Sequence, residues 1–176
     1  ITYSRARKRL ALLRKASIQI GTTLNVGRTA QELADLAVQG FADFCVVDLT
    51  DEVFPGSEPL QRLPSTEERV PVFRRAAVAS TRSEGTEPTL PIGEPVYVPA
   101  SSPFTHVLDT GESYLEPKLD TSSDSWPADD PERARTIRDT GIHTMIVVPL
   151  KARGSILGNA VFHRNENKTP FTRDDL

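Results

Sequence analysis

The chain has 176 residues, of which 38% are hydrophobic and 26% charged, and this balance is typical of one globular domain with a sizeable core. A formal net charge of -3 gives no general attraction to nucleic acid or to anionic membranes, so neither is expected as a partner. The sequence has no run of about 18 apolar residues that could span a bilayer. The single cysteine, Cys45, cannot form an internal disulfide, which favours a cytoplasmic location.

The first 24 residues predict one amphipathic helix, because mostly apolar residues recur at alternating steps of three and four. Two interpretations are open: the helix packs on its own domain, or it pairs with its twin in a homodimer through Leu10, Leu13 and Ile20. The positions on this stripe are Tyr3, Ala6, Leu10, Leu13, Ser17, Ile20 and Leu24.

A second helix is predicted from Thr29, which has the spacing of a capping box with Glu32, to about Gly40. One face of this helix is apolar and should pack on the core. Its members are Ala30, Leu33, Ala34, Ala37 and Phe41.

Strands are predicted at residues 42–50 and 70–79, where β-branched and aromatic residues concentrate, and a short strand is expected at 96–98. The first of these places Phe44, Val46 and Asp48 on one side. The segments between them, 51–69 and 80–95, are rich in proline and polar residues and predict loops.

Two short helices follow, each with a capping residue before a proline and a glycine at its end. The first begins after Ser102 and stops at Gly111, and the second begins after Asp130 and stops near Gly141. Between them we expect a brief strand at 114–115 and a polar loop over 116–130 that carries the only tryptophan, Trp126.

A β-hairpin is predicted over Ile142–Leu150 and Ile156–Arg164, joined by a five-residue loop that contains Gly154. Thr172 and Asp175 then have the spacing of a capping box that opens a final helix, cut off at residue 176. Because the chain also starts without a methionine, we expect both ends to be cuts in a longer polypeptide. The elements together predict an α+β fold, a central antiparallel sheet of about five or six strands.

The closing segment, HTMIVVPLKARGSILGNAVFHRNENKTPFTRDDL, resembles the second half of GAF domains, with a strand ending in Val-Pro-Leu, a Gly-centred turn, a Leu-Gly strand and a final Phe before Asp-Leu. The opening RLALLRKASIQIGTTLNVGRTAQELADLAV is similar to the first helices of GAF domains that precede bacterial SpoIIE-type serine/threonine phosphatases. The resemblance implies a signalling helix over 1–24 and a GAF core over 25–176. It also implies terminal helices on one face of the sheet and short helices and loops on the other.

By this resemblance the chain is a non-catalytic sensory domain that binds a small molecule, dimerises, or does both, and so controls an attached output domain, expected to be a serine/threonine phosphatase. The alternatives are a structural dimerisation or docking module without a ligand, and the sensor of a histidine kinase. No catalytic residue or metal ligand is predicted, because the chain has no Walker-type phosphate loop and no paired cysteines.

The resemblance places any ligand pocket between the sheet and the short middle helices. The same apolar side chains could instead simply fill the core, and the two interpretations carry equal weight. The candidate lining residues are Phe44, Val46, Phe73, Phe104, Leu108, Trp126, Ile137, His143, Met145 and Phe162.

Two cofactors of other GAF domains have partial signals in the sequence. The residues Asn167, Lys168, Phe171 and Asp175 match a motif of cyclic-nucleotide-binding GAF domains, but Leu176 stands where that motif has glutamate, and a structural brace through a lysine-to-aspartate pair is the favoured interpretation. Haem would need an axial histidine, for which His106 or His143 is the candidate, but a lone histidine is more often only hydrogen-bonded. The identity of any cofactor is left open.

Overall fold

The computed structural model describes residues 25–50, 53, 69–82, 90–99, 101–122, 125, 127, 130–152 and 154–176. The predicted helix over residues 1–24 therefore lies outside the described residues. So does Trp126, which the sequence placed in the candidate pocket.

Six strands form one antiparallel sheet in the order β3-β2-β1-β6-β5-β4. Strands β1 and β6 are central, and all six residues of β1 are buried because both faces of the sheet are covered there. The predicted α+β class is confirmed. The strands are β1 (Phe44–Leu49), β2 (Arg69–Ser80), β3 (Pro95–Pro99), β4 (Tyr114–Glu116), β5 (Thr144–Ala152) and β6 (Ser155–Arg164).

Among the described residues, three α-helices accompany the sheet: α1 (Val26–Ala37), α2 (Pro103–Thr110) and α3 (Pro131–Thr140). Both predicted short helices are confirmed, since α2 and α3 start after the side-chain caps Ser102 and Asp130 and end at glycines in the left-handed conformation. Within the residues that the structure describes, no helix combines the length and apolarity of a membrane span.

Helix α1 begins three residues before the predicted start. The side chain of Asn25 is its N-cap and accepts a hydrogen bond from the Arg28 amide at 3.1 Å, so the predicted capping box of Thr29 and Glu32 is wrong. Glu32 instead pairs with Arg28 one turn earlier, at 3.2 Å. Asparagine is as strong a cap as serine or aspartate, and the earlier cap therefore sets the helix start.

The hairpin is confirmed, but its loop is shorter than predicted. Strand β5 runs to Ala152 and β6 starts at Ser155, which leaves only positions 153 and 154 between them. Gly154 has a φ of 81°, the left-handed conformation that two-residue hairpin turns need and that glycine adopts without steric cost.

The C-terminal capping box is confirmed. The carboxylate of Asp175 accepts hydrogen bonds from the Thr172 amide at 2.8 Å and from the Thr172 hydroxyl at 3.0 Å. The helix that it opens is a single 3₁₀ turn, Arg173–Asp175.

The two faces of the sheet carry separate cores. On one face, here called the α1 face, small residues of α1 such as Ala34 pack with Cys45, Val47 and Phe171. The other face, here called the short-helix face, packs against α2. Its buried core consists of Phe44, Val46, Phe73, Val96, Val98, Phe104, Val107, Met145, Val147 and Val161.

Candidate functional site

The short-helix face carries polar groups within its apolar surroundings. Asp48 and Arg75 lie opposite each other on β1 and β2, and the Arg75 Nε donates to Asp48 Oδ1 at 2.6 Å. Both side chains are buried. Burial raises the pKa of Asp48, and the guanidinium of Arg75 offsets part of that rise.

Asn159 is the neighbour of Asp48 on the other side, because these two residues are register partners of β6 and β1. The third strand at this point places Pro149 of β5 beside Asn159. Asn159 is only 1% exposed, and neither its Oδ1 nor its Nδ2 has a hydrogen-bond partner among the described residues. A buried carboxamide without partners costs about 1–3 kcal/mol of stability, so its presence in the sheet centre calls for a reason.

Arg133 joins α3 to this region. Its Nε donates to the Asp130 carboxylate at 3.1 Å, and its Nη2 donates to the Tyr97 carbonyl at 3.1 Å on the edge strand β3. The guanidinium lies 4.8 Å from the centre of the Phe104 ring on α2. This one side chain therefore connects both short helices to the sheet.

His163 lies on the short-helix face four residues after Asn159. Its ring is tilted by 30° against that of Phe44, with centroids 5.6 Å apart, and its buried Nδ1 is not hydrogen-bonded to any residue that the structure describes. Burial, and then the positive charges of Arg133 and Arg75, lower the pKa of His163 from 6.5 to about 3. The imidazole is therefore neutral at physiological pH.

Replacing His163 with glutamine should make the domain less sensitive to acid. In the unfolded chain a histidine takes up a proton near pH 6.5, whereas folded His163 does so only near pH 3. Between pH 6.5 and about pH 3 the unfolded state thus binds more protons than the folded state. The free energy of unfolding therefore falls as the pH decreases through this range. Urea unfolding between pH 7 and pH 4 should show a shallower fall for His163→Gln than for the wild type. An equal fall in the two proteins would contradict this, and His106→Gln at an exposed position of α2 is the matched control.

The structure brings together most of the predicted pocket residues but not all of them. On or against the short-helix face lie Phe44, Val46, Phe73, Phe104, Leu108 and Met145. Phe162 is a correction, because it belongs to the core of the α1 face and packs edge-on against Phe41. Successive side chains of a strand alternate between faces, which separates Phe162 from its neighbour Val161. Ile137 is buried on α3 and belongs to neither core cluster.

The residues that the sequence analysis did not select are polar: Arg75, Arg133, Asn159 and His163. Asn159 and Asp48 stand inside otherwise apolar strands, ILGNAVF and FCVVDL, and a polar residue within a buried strand is a signal that sequence alone can provide. Their convergence on one face depends on strand register, which cannot be read from the sequence.

The histidines considered as haem ligands do not fit that role. His106 is exposed on the outer side of α2, edge-on to Tyr114 at 5.9 Å. The Nε2 of His143 is in hydrogen-bond contact with the Asn167 carbonyl at 2.8 Å, which occupies the nitrogen that would bind iron. Among the described residues, no group of three or more His, Cys, Asp or Glu could hold a metal ion.

The residues of the cyclic-nucleotide motif lie at the C-terminal brace of the fold. Phe171 is 1% exposed in the core of the α1 face, and the buried guanidinium of Arg164 lies 4.0 Å from its ring centre. The ammonium of Lys168 donates to the Asn165 carbonyl at 2.7 Å, and the Asp175 carboxylate accepts from Thr172, so these contacts differ from the predicted lysine-to-aspartate pair. These contacts favour a structural role for the motif, on the face opposite to Asn159.

Cys45 is buried on the α1 face, and burial raises the pKa of its thiol, followed by the nearby negative charge of Asp48. The neutral thiol is a poor nucleophile. Cys45 therefore serves as a packing residue in the core of the α1 face.

The family model of the GAF domain matches residues 25–176. The chain therefore belongs to the GAF family. No curated protein sequence matches it at a significant level.

Solved structures share this fold at low sequence identity. The GAF domain of an Acinetobacter phosphoenolpyruvate-protein phosphotransferase is 15% identical with a TM-score of 0.57, over 96% of this chain and 83% of that one. The nlh2 GAF domain of A. aeolicus, in an inactive state, is 10% identical with a TM-score of 0.59, over 97% and 84%. A free methionine-R-sulfoxide reductase from Neisseria meningitidis is 11% identical with a TM-score of 0.56, over 95% and 77%. At these identities the likeness concerns the fold alone.

Proposed function

We propose that this chain is the sensory domain of a larger cytoplasmic signalling protein and that it binds a small molecule on the short-helix face. The observation that carries the proposal is Asn159, whose buried carboxamide finds no hydrogen-bond partner for either polar atom within the described part of the chain. A ligand that completes these hydrogen bonds would stabilise the domain when bound, because leaving them unmade is costly.

Burial of Asn159 also links binding to a change in packing. A side chain that is 1% exposed can meet a ligand only when the chain that covers it moves aside. Ligand binding would then favour one packing arrangement over another, and this shift in population is the signal passed to the attached domain. On the resemblance of residues 9–38, the output domain is a serine/threonine phosphatase, and a histidine kinase is the alternative.

Self-association belongs to the same proposal. The helix predicted over residues 1–24 would pair with its twin through Leu10, Leu13 and Ile20. A GAF domain that only dimerises or docks a partner is the competing function. Light scattering of the wild type and of Leu10→Glu with Leu13→Glu measures the dimer, and the Asn159 experiment below measures the ligand function separately.

We propose no catalytic activity for this chain. One structural relative is named as a reductase in complex with its substrate, but Cys45 here is the single cysteine and is buried with a raised thiol pKa. On the short-helix face, Asp48 is paired with Arg75, and Asp130 is paired with Arg133. His163 is neutral. These polar groups suit binding better than proton transfer.

Replacing Asn159 with leucine should raise the stability of the ligand-free domain. Leucine has a similar branched shape and removes both unpartnered atoms, so the free energy of unfolding should increase by about 1 kcal/mol after some cost of overpacking. Urea unfolding measures the change.

The matched control is Asn165→Leu. Asn165 is also buried, but its Nδ2 donates to the Thr140 carbonyl at 3.2 Å and its Oδ1 accepts from the Glu166 amide at 2.8 Å. This change should lower stability, since it removes the hydrogen bond to the buried Thr140 carbonyl. If Asn159→Leu lowers stability to the same extent, Asn159 is an ordinary packing residue and the ligand function is wrong.

A further inference from the structure

We infer that the ligand presents to Asn159 a neutral, planar edge in which a hydrogen-bond donor lies beside an acceptor, as in an aromatic or heterocyclic carboxamide. The inference rests on the proposed function and names the chemical class of the ligand.

The first step is the hydrogen-bonding capacity of Asn159. Its carboxamide offers two N–H donors and one carbonyl oxygen in a single plane, and no described residue is hydrogen-bonded to its Nδ2 or its Oδ1. The residue beside it on β5 is Pro149, which has no backbone N–H to offer. A ligand satisfies both atoms at once only if it places an acceptor opposite Nδ2 and a donor opposite Oδ1, the same pairing by which asparagine recognises an adenine edge.

The second step is charge. The Asp48 carboxylate is paired with Arg75 at 2.6 Å, and the Asp130 carboxylate is paired with Arg133 at 3.1 Å. The positive and negative charges of these four groups cancel in pairs, so they leave no unbalanced charge for an ionic ligand to neutralise. A carboxylate ligand would only accept hydrogen bonds and would leave Asn159 Oδ1 without a donor. An amidinium would only donate and would leave Nδ2 without an acceptor.

The third step is the body of the ligand. The side chains that share this face of the central strands are apolar, and Val46 and Val161 come directly next to the polar pair of Asp48 and Asn159. These apolar neighbours favour a flat apolar ring over a polar body, because a polar body would lose its hydration without compensation. The surroundings of Asn159 therefore favour a ring that carries a carboxamide or lactam edge.

Three probes of nearly identical shape separate the possibilities: benzamide, benzoate and benzamidine. Benzamide both donates and accepts hydrogen bonds, benzoate only accepts them, and benzamidine only donates them. In NMR titrations of the whole chain, benzamide should bind at least about tenfold more tightly than either of the others, since an unmatched buried polar atom weakens binding strongly. The backbone amides of β6 and β1 should show the largest shifts.

Two variants complete the test. Asn159→Leu should abolish the preference for benzamide, whereas Phe162→Leu, on the opposite face of the same strand, should retain it. Asn159→Ala serves if the leucine variant does not fold. A wild type that prefers benzoate or benzamidine, or that binds none of the three probes, overturns the amide assignment. The proposed sensory function instead fails if Asn159→Leu lowers the stability of the ligand-free domain as Asn165→Leu does.

Discussion

Replacing Gly158 with alanine is expected to destabilise the domain by on the order of 4 kcal/mol, beyond the cost of ordinary overpacking. Gly158 lies on β6 as the register partner of Leu49 on β1. An added Cβ would overlap the Asp48 carbonyl oxygen and would lie 2.8 Å from the Leu49 Cα. These are backbone atoms of the neighbouring central strand β1, so they can move away only if β1 and β6 separate. Urea unfolding of the two proteins measures the loss, and a variant that does not fold at all would agree with the same cause.

The matched control is Gly154→Ala in the same hairpin. Gly154 also has a positive φ, but a Cβ there would meet no atom within 4 Å. Its cost is therefore only that of a left-handed backbone, about 1–2 kcal/mol. Equal losses for the two variants would show that the close approach of β1 and β6 at Gly158 does not constrain the fold.

Replacing Arg75 with methionine is the second change with a large expected effect, a loss of about 3–5 kcal/mol at neutral pH. The substitution leaves the Asp48 carboxylate buried without its partner, which held it at 2.6 Å. Removing the guanidinium also lets burial raise the Asp48 pKa further. A folded-state pKa above that of the unfolded chain means that stability is present at low pH and lost as the pH rises. The deficit of the variant should therefore be smaller at pH 4 than at pH 7.

The double variant Asp48→Leu with Arg75→Met is the control for this prediction. It removes both charges, and replacing a buried ion pair by apolar residues is often neutral or stabilising. Urea unfolding at pH 7 should thus show the double variant to be more stable than Arg75→Met alone. If the double variant is the less stable of the two, the unpaired Asp48 carboxylate is not what destabilises Arg75→Met.

The helices with proline at their first position could be predicted from the sequence because their signals are local. Ser102 and Asp130 act as caps, and the chain turns at Gly111 and Gly141, all within one turn of the helix concerned. The start of helix α1 is harder to predict, since Asn25 and Thr29 are both residues that cap helices and only the fold selects between them. In the hairpin, Gly154 indicates the position of the turn, but the sequence does not tell at which residue the pairing of the two strands stops.

The candidate site could be predicted only in part. Its apolar wall was recognised through Phe44, Val46 and Met145, because large apolar residues in strands indicate a core. The prediction that Phe162 lines the short-helix face is wrong, because a strand that is buried on both faces shows no alternation of apolar and polar residues. The sequence therefore does not tell which face of the sheet the Phe162 side chain meets. The polar side chains Asp48, Arg75 and Asn159 of the short-helix face come from β1, β2 and β6. Strand pairings across long sequence separations, such as that of Asp48 with Asn159, cannot be predicted without knowing the register.

The central claim, that the short-helix face binds a small molecule through Asn159, is tested most directly by native mass spectrometry. The whole chain would be incubated with a defined mixture of nucleobases, nucleotides, amino acids and aromatic amides. We expect one noncovalent adduct on the wild type and on Phe162→Leu, and its loss on Asn159→Leu. An adduct that survives Asn159→Leu, or three proteins that all stay free of adducts, would contradict the claim.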